Sequence, residues 1–391
     1  MNRGNKGRIL HVITRLIVGG AQENTLYTAE RLNAKGYAVD VLIGPQTGPE
    51  GSLIEDARRR NISLYIENKL IREIHPIKDL IAFFRLVRTI RKGRYSIVHT
   101  HSSKAGILGR WAAWVAGCPT IVHTIHGWGF HSYQKSWLRF LYILVERLTL
   151  RITDHLIAVS RKDIEKGMAA GIGKADDYTL IRSGIDIDAF SNPFKNRDEV
   201  RRELRIPEGS VVVGTVTRLS PQKSPATFVR IAAEVMKKVS EAYFVIIGDG
   251  PLRRQIEKEA VAVGIQDRLI LTGVRRDVPD LLQAFDIFLL TSLWEGLPRV
   301  IPQAMAAGVP VIANAVDGNA EIIKNGENGI LTIPGDIDQS VKHITRLIKK
   351  RDVRTQLSTN ARNGLDEYSI DSMVAAIDQL YRSSEFWPTS D

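Results

Sequence analysis

Two cations, a carboxylate and an amide stand in the second half of the chain at spacings that chemistry can use. Arg218 and Lys223 lie in TRLSPQKS, just after an apolar run that reads as a strand. Two cations five residues apart at a strand's carboxyl end can clamp a diphosphate, the guanidinium as a planar fork and the ammonium as a point charge. A pair of solvated loop charges would look the same. Further on, SLWEGLPRVIPQAMAAGVPVIA (292–313) is mostly apolar, yet Glu295 stands at its head, Arg299 within it and Gln303 eight residues after the glutamate. Gly308 and Pro310 are helix-stop residues. A short helix is therefore expected between two buried strands, with a carboxylate at its N-terminal end that packing does not explain.

The first half offers different groups. Gly19 and Gly20 follow the first strand and precede a helix, where glycines let backbone N–H groups approach a phosphate; a tight turn would ask for the same pair. His126, in TIHGWGF, ends a strand and is followed by Gly127. His99, His101 and His123 nearby raise a metal reading, but no carboxylate or cysteine stands at the spacing zinc sites favour. A polar group at a sheet edge facing a cleft is preferred, with a hydrogen-bonded structural histidine as the alternative. GDGPLRRQIE (248–257) turns from a strand into a helix, and turn chemistry alone accounts for it. Asp317, Gly318 and Glu321 in VDGNAEII lie past another strand.

Elements that must position these groups alternate regularly. Strand candidates in the first half are 8–14, 38–44, 96–101, 120–125, 155–160 and 178–186, with helical patterns between them. That alternation implies parallel sheets covered on both faces. The stretch 190–210 is polar, charged and holds two prolines, and a second strand series follows: 211–219, 243–250, 269–273, 287–292, 309–314 and 329–333. Two Rossmann-like α/β domains in tandem are expected, 1–188 and 189–391, with a helix at about 369–384 able to pack on either. Ligands of such sheets bind beyond the carboxyl ends of the strands, so two of them facing each other would make a cleft.

Composition bounds the rest. A chain of 391 residues exceeds what one core usually organises. A single cysteine, Cys118, rules out an internal disulfide and fits a reducing compartment. There is no spanning apolar run, and Arg15 interrupts the first apolar run where a signal peptide would need continuity. Net charge is +11, and it is lopsided: residues 1–185 hold 28 Lys and Arg against 15 Asp and Glu, while the remainder is slightly acidic. The first half therefore favours an anionic partner.

Taken in order, GGAQ, TIHG, SGID, GTVTRLSPQK, GDGP, SLWEGLP with AMAAGVPVIA, and GNAEII with GENGIL resemble the motifs of group 1 glycosyltransferases, the retaining family 4 with the GT-B fold. The resemblance spans nearly the whole chain and is strongest between 210 and 335. It implies an N-terminal acceptor domain, a C-terminal nucleotide-sugar domain and no cofactor or metal beyond the donor itself, most simply a UDP-sugar carrying a hexose or N-acetylhexosamine. It implies roles as well. Arg218 and Lys223 would hold the diphosphate, Gly19 and Gly20 would approach it from the N-terminal domain, and His126 would sit by the transferred sugar. Glu295, first of the family's paired acidic signature, would contact that sugar's hydroxyls, and Gly250, Gly296, Leu297, Arg299 and Gln303 would complete the donor site. The helix after Glu295 would aim its positive end at the phosphates.

Three residues depart from the pattern. Gln303 replaces the second glutamate, which binds the nucleotide ribose, so the hydrogen bond survives without charge assistance. Pro298 removes a loop N–H and, with Pro302, makes the helix bent or late in starting. Ser183 replaces the asparagine usual before the GID turn.

The acceptor is less legible. In 78–94, Leu80, Phe83, Phe84, Val87 and Ile90 share one expected face and Arg85, Arg88 and Lys92 another; 133–151 is rich in aromatic and aliphatic residues with scattered basics. Packing would explain either helix alone. Together with the basic first half they favour a cytoplasmic, peripheral protein on an anionic membrane face, with a lipid-linked saccharide of surface-polysaccharide synthesis as acceptor. A nucleotide-sugar epimerase on the same fold would share the diphosphate clamp and lack the acceptor site. Nucleic-acid binding would use the basic half, but no recognised nucleic-acid motif or aromatic-interleaved basic groove is present.

Overall fold

The computed structural model describes residues 6–46 and 50–383. The first five residues, part of the start read above, and Ser384, the end of the expected last helix, lie outside them. The chain divides into two compact units, Met1–Gly184 with Ile370–Asp391, and Ile185–Ser369. The first division falls at 184/185, four residues before the expected 188. Ile185 forms a parallel bridge with Ser369 and donates its N–H to the Tyr368 carbonyl at 2.7 Å, so the chain enters and leaves the second unit side by side. The helix Ile370–Arg382 then returns to the first unit.

The first unit holds seven parallel strands: β1 (Arg8–Ile13), β2 (Ala38–Ile43), β3 (Ser63–Ile66), β4 (Ile97–His101), β5 (Thr120–Ile125), β6 (His155–Ala158) and β7 (Tyr178–Leu180), in the order β3-β2-β1-β4-β5-β6-β7. The second holds six: β8 (Val211–Val216), β9 (Ala242–Ile247), β10 (Leu269–Gly273), β11 (Ile287–Leu290), β12 (Val311–Asn314) and β13 (Ile330–Thr332), in the order β10-β9-β8-β11-β12-β13. Both sheets are doubly wound and reverse direction once, between β1 and β4 and between β8 and β11, and such reversals are where open sheets bind ligands.

Side-chain alternation distributes each core. Ile9, Ile13 and Ile97 join Leu26, Ala29, Met373 and Tyr381 on one face of the first sheet. Leu10, Val12 and Val98 join Leu86, Ile90 and Ala112 on the other. Near-continuous apolar strands suit sheets covered on both faces. Strand β3, which the sequence does not announce, is the edge strand of the first sheet, and its residues are largely exposed.

Two helices differ from the expected packing. In Pro76–Gly93 the buried residues are Ala82, Leu86, Val87 and Ile90, whereas Leu80 and Phe84 are exposed, so the five apolar residues grouped on one face are split. The helix Ser136–Leu150 is turned further still: it buries only Glu146 and Thr149 and exposes Trp137, Phe140, Leu141, Leu144 and Leu148. Glu146 meets the fully buried Arg110 at 2.6 Å and Thr149 accepts from Trp111 Nε1 at 3.0 Å. These polar contacts from Ser103–Ala116 fix which side of the helix faces inward.

Candidate active site

In the second unit the loops after β8, β9, β11 and β12 converge on the carboxyl edge of the sheet. Arg218 lies two residues beyond β8, and the turn Pro221–Lys223 follows. The GDG loop braces this segment: Leu219 N–H donates to the Asp249 carbonyl at 3.0 Å, and Leu252 N–H to the Leu219 carbonyl at 3.0 Å. Gly250 is required by that approach, since a Cβ there would lie 2.5 Å from the Leu219 oxygen.

The loop after β11 is lashed to the same segment. Thr291 Oγ1 donates to the Lys223 carbonyl at 3.1 Å, Leu293 N–H to the Gln222 carbonyl at 2.8 Å, and Gln222 Nε2 to the Trp294 carbonyl at 2.9 Å. These bonds deliver Lys223 Nζ to within 2.5 Å of Glu295 Oε1, on a carboxylate 7% exposed. The Glu295 N–H is taken by Asp317 Oδ2 at 2.9 Å, from the loop after β12. Gly318 N–H donates to the Gly296 carbonyl at 3.1 Å, and a Cβ on Gly318 would clash with that oxygen. Asp317 was placed near the site by sequence, but its hold on Glu295 was not foreseen.

One expectation is corrected here. Glu295 does not head a helix: the helix is Val300–Ala306, seven residues long, and begins five residues later. Pro298 disfavours helical backbone at Leu297, so the helix cannot start until the proline is passed. Leu297, Arg299 and Gln303 are buried, with Arg299 at the cap and Gln303 N–H bonded to its carbonyl at 3.0 Å. Glu295 therefore stands outside that helix, and the cation its carboxylate meets is Lys223.

In the first unit Gly19 caps the helix Gly20–Ala34 and Gly20 is its first residue, directly beyond β1. After β4, Ser102 takes a left-handed backbone, φ 62°, and its hydroxyl meets Thr14 Oγ1 at 2.9 Å, while Thr14 Oγ1 accepts the Ala105 N–H at 3.3 Å. That Thr14–Ser102 link across the reversal point was not found from sequence.

His126 follows β5 and belongs to a group of imidazoles. His11 Nδ1 is 2.9 Å from His101 Nε2, and His101 Nδ1 is 3.1 Å from His126 Nε2. His99 pairs with Tyr381 and Thr124, at 2.5 and 2.6 Å. His123 points to the opposite face, where it meets Thr100 Oγ1 at 2.9 Å. Burial pushes His11 down to about 3 and holds His99, His101 and His123 well below the ordinary imidazole value. Among the described residues one group, His11, His99 and His101, gathers ring nitrogens within 4.8 Å. Both nitrogens of His99 and both of His101 are already hydrogen-bonded, so three lone pairs do not converge as a metal would need. His11 escaped the sequence reading. Its signal was the shared parity of His99 and His101, which the pairing of β1 with β4 extends to His11.

Comparison with known proteins agrees with these two units. Residues 196–364 match the family described as glycosyl transferases group 1, and residues 19–184 match the glycosyl transferase 4-like domain. The chain is 32% identical over 381 residues to an Escherichia coli protein named UDP-Gal:alpha-D-GlcNAc-diphosphoundecaprenol alpha-1,3-galactosyltransferase, covering 96% of this chain and 97% of that one. It is 27% identical over 312 residues to the putative glycosyltransferase EpsD of Bacillus subtilis, covering 78% and 81%. In fold it resembles Anabaena Alr3699/HepE, solved with UDP and glucose, with a TM-score of 0.84 over 96% of this chain and all of the other, at 22% identity. The fold is GT-B, and the chain belongs to the group 1 glycosyltransferases.

Proposed function

We propose that the protein transfers a hexose or N-acetylhexosamine from a UDP-sugar to a lipid-linked saccharide in surface-polysaccharide synthesis, with retention of configuration. The observation that carries the donor half is the Lys223–Glu295 pair at 2.5 Å, five residues from Arg218, on the strands that flank the reversal of the second sheet. A diphosphate there would meet two cations, and the carboxylate beside them would face the sugar at its reacting end. Arg218 and Lys223 neutralise charge as the nucleotide departs, so no metal is needed for that task. Retention follows from the family that the motifs resemble.

The acceptor half draws on the E. coli relative, whose name specifies a diphosphoundecaprenol-linked GlcNAc, and on the outward apolar face of Ser136–Leu150. Exposed Arg139 and Arg147 lie on the same helix as Trp137, Phe140 and Leu144. A face of aromatic and aliphatic residues with interspersed cations suits an anionic bilayer surface. We assign that face to the membrane on which the acceptor lies.

The test is a panel of UDP-, GDP- and ADP-sugars, read first by thermal shift and hydrolysis and then by transfer to a diphosphate-linked lipid saccharide. UDP-sugars should stabilise the protein, turnover should survive excess EDTA, and proton NMR of the product should show the donor's anomeric configuration. Inversion, or activity lost to EDTA and restored by Mg²⁺ or Mn²⁺, overturns the corresponding part.

A further inference from the structure

The imidazoles of the first unit form a line whose loose end fixes the sense of the rest. His11 in β1, His101 at the end of β4 and His126 after β5 come from three neighbouring strands, and the line runs His11 Nδ1 to His101 Nε2, then His101 Nδ1 to His126 Nε2. Among the described residues His11 Nε2 has no hydrogen-bond partner and is shut off from water.

Burial keeps His11 and His101 neutral, so each ring has one N–H and one lone pair. A buried N–H without an acceptor is the rarer and costlier orphan, a bare lone pair the more tolerated one. His11 therefore leaves Nε2 bare and donates from Nδ1 to His101 Nε2. His101 has then only its Nδ1–H to give, and gives it to His126 Nε2. With that lone pair occupied, the proton of a neutral His126 sits on Nδ1. An imidazolium at His126 would set a second N–H against the one His101 donates.

We infer that His11 and His101 are positioning residues that hold His126 as a neutral ring protonated on Nδ1, so that it serves as a hydrogen-bond donor to a hydroxyl oxygen of the transferred sugar and not as a general base through Nε2. This rests on the proposed place of His126 beside that sugar. The line spans three strands, so its polarity is set by the register of β1 and β4, not by the loop that holds His126. Nε2 of His126 accepts from His101, so the N–H of that ring is on Nδ1.

The test reads the full chain by two-bond ¹H–¹⁵N correlation of histidine rings at pH 7.5, with the His126 signal assigned from its loss in His126→Asn. The expected result is the Nδ1–H form of His126 in the wild type. His101→Asn, whose amide can donate near the place of Nδ1, should preserve it; His101→Leu should give a mixture of tautomers. In steady-state kinetics His101→Leu should lower kcat about tenfold with donor KM little changed, and His101→Asn should recover most of it. An Nε2–H or doubly protonated His126 in the wild type, or an unaltered tautomer in His101→Leu, overturns the relay. If the spectra are as expected but His126→Ala retains full kcat, the place of His126 at the sugar is wrong, and the donor role falls while the tautomer assignment stands.

Discussion

In the second unit the strands that flank the reversal, β8 and β11, lead into loops holding Arg218, Lys223 and Glu295. In the first unit the corresponding strands, β1 and β4, carry His11, His99 and His101, all buried and neutral. The winding is the same and the chemistry is opposite. A charged pair at the ends of two loops can exchange one partner for an incoming diphosphate. A line of neutral rings bonded across strands cannot rearrange without leaving buried N–H groups unmet, so it serves to hold one geometry. The outer surfaces differ too: the basic excess and the exposed apolar helix Ser136–Leu150 belong to the first unit.

The largest effects should come from the charged pair. Arg218→Ala and Lys223→Ala should each reduce kcat/KM by about 2–4 kcal/mol, a contact made as the leaving group gains charge. Lys223→Ala should also cost stability. Lys223→Ala leaves the buried Glu295 carboxylate without its ammonium, which costs about 1–3 kcal/mol, whereas Lys223→Ala with Glu295→Gln should regain most of that loss. Denaturant unfolding checks this; a Lys223→Ala variant as stable as the wild type would show that the pair at 2.5 Å contributes nothing to the fold.

Glu295 and Gln303 should separate along kinetic lines. On the proposed reading Glu295 lies beside the carbon that becomes cationic and oxocarbenium-like, so Glu295→Gln should lower kcat by roughly 10²-fold with donor affinity little altered. Gln303 lies in the middle of the buried helix Val300–Ala306 and, on the proposed reading, contacts the ribose, whose charge hardly changes. Gln303→Ala should mainly raise donor KM, and Gln303→Glu should be tolerated or tighten binding. A Glu295→Gln enzyme with normal kcat and raised KM would reverse the two roles.

The histidine line makes the first unit the pH-sensitive one. Burial keeps His11, His99, His101 and His123 neutral when folded, and His11 takes a proton only near 3, while an unfolded histidine does so at 6.5. Above 6.5 neither state gains a proton and stability is intact. As pH falls below 6.5 the unfolded chain is protonated first, so stability is lost progressively down to about 3, at roughly 1.4 kcal/mol per pH unit for each such ring. Four of them, His11, His99, His101 and His123, lie in the first unit, and the second unit's one histidine is the partly exposed His343. Calorimetry of the full chain at pH 7.5 and 5.5 should show the first unit's transition falling far more; parallel falls would contradict the assignment.

What could be read beforehand divides along physical lines. Strands such as Ile287–Leu290 announce themselves because a parallel strand buried on both faces is apolar throughout, and Arg218, Lys223 and Glu295 stand out because charge is rare at such edges. His11 did not stand out, since its partners are 88 and 90 residues away and only the register of β1 with β4 joins them. Strand β3 is an exposed edge, so it lacks the apolar run. The helix Ser136–Leu150 shows a deeper limit: periodicity identifies a stripe without saying which side turns inward. There the buried Arg110 decides, because it needs Glu146 and so faces the polar side of the helix toward the unit.

That reversed helix gives the smallest effect and the one that tests the difference between the outer surfaces. Trp137, Phe140 and Leu144 recur at three- and four-residue spacing and are exposed, so they can enter the interfacial region of a bilayer while Glu146 and Thr149 remain bonded within the unit. Vesicles rich in phosphatidylglycerol should sediment the full-length protein at low salt and release it at high salt. Each contacting cation contributes about 1 kcal/mol and is screened within a Debye length. Arg139→Gln should therefore weaken binding by roughly fivefold, and Trp137→Ser with Phe140→Ser should weaken it further at every salt concentration, because apolar insertion is not screened. Neither change touches the buried pair with Arg110, so thermal stability should be unaltered. If the serine variants bind vesicles as well as the wild type, the exposed face has another partner and the membrane assignment falls, while the donor site of the second unit is untouched.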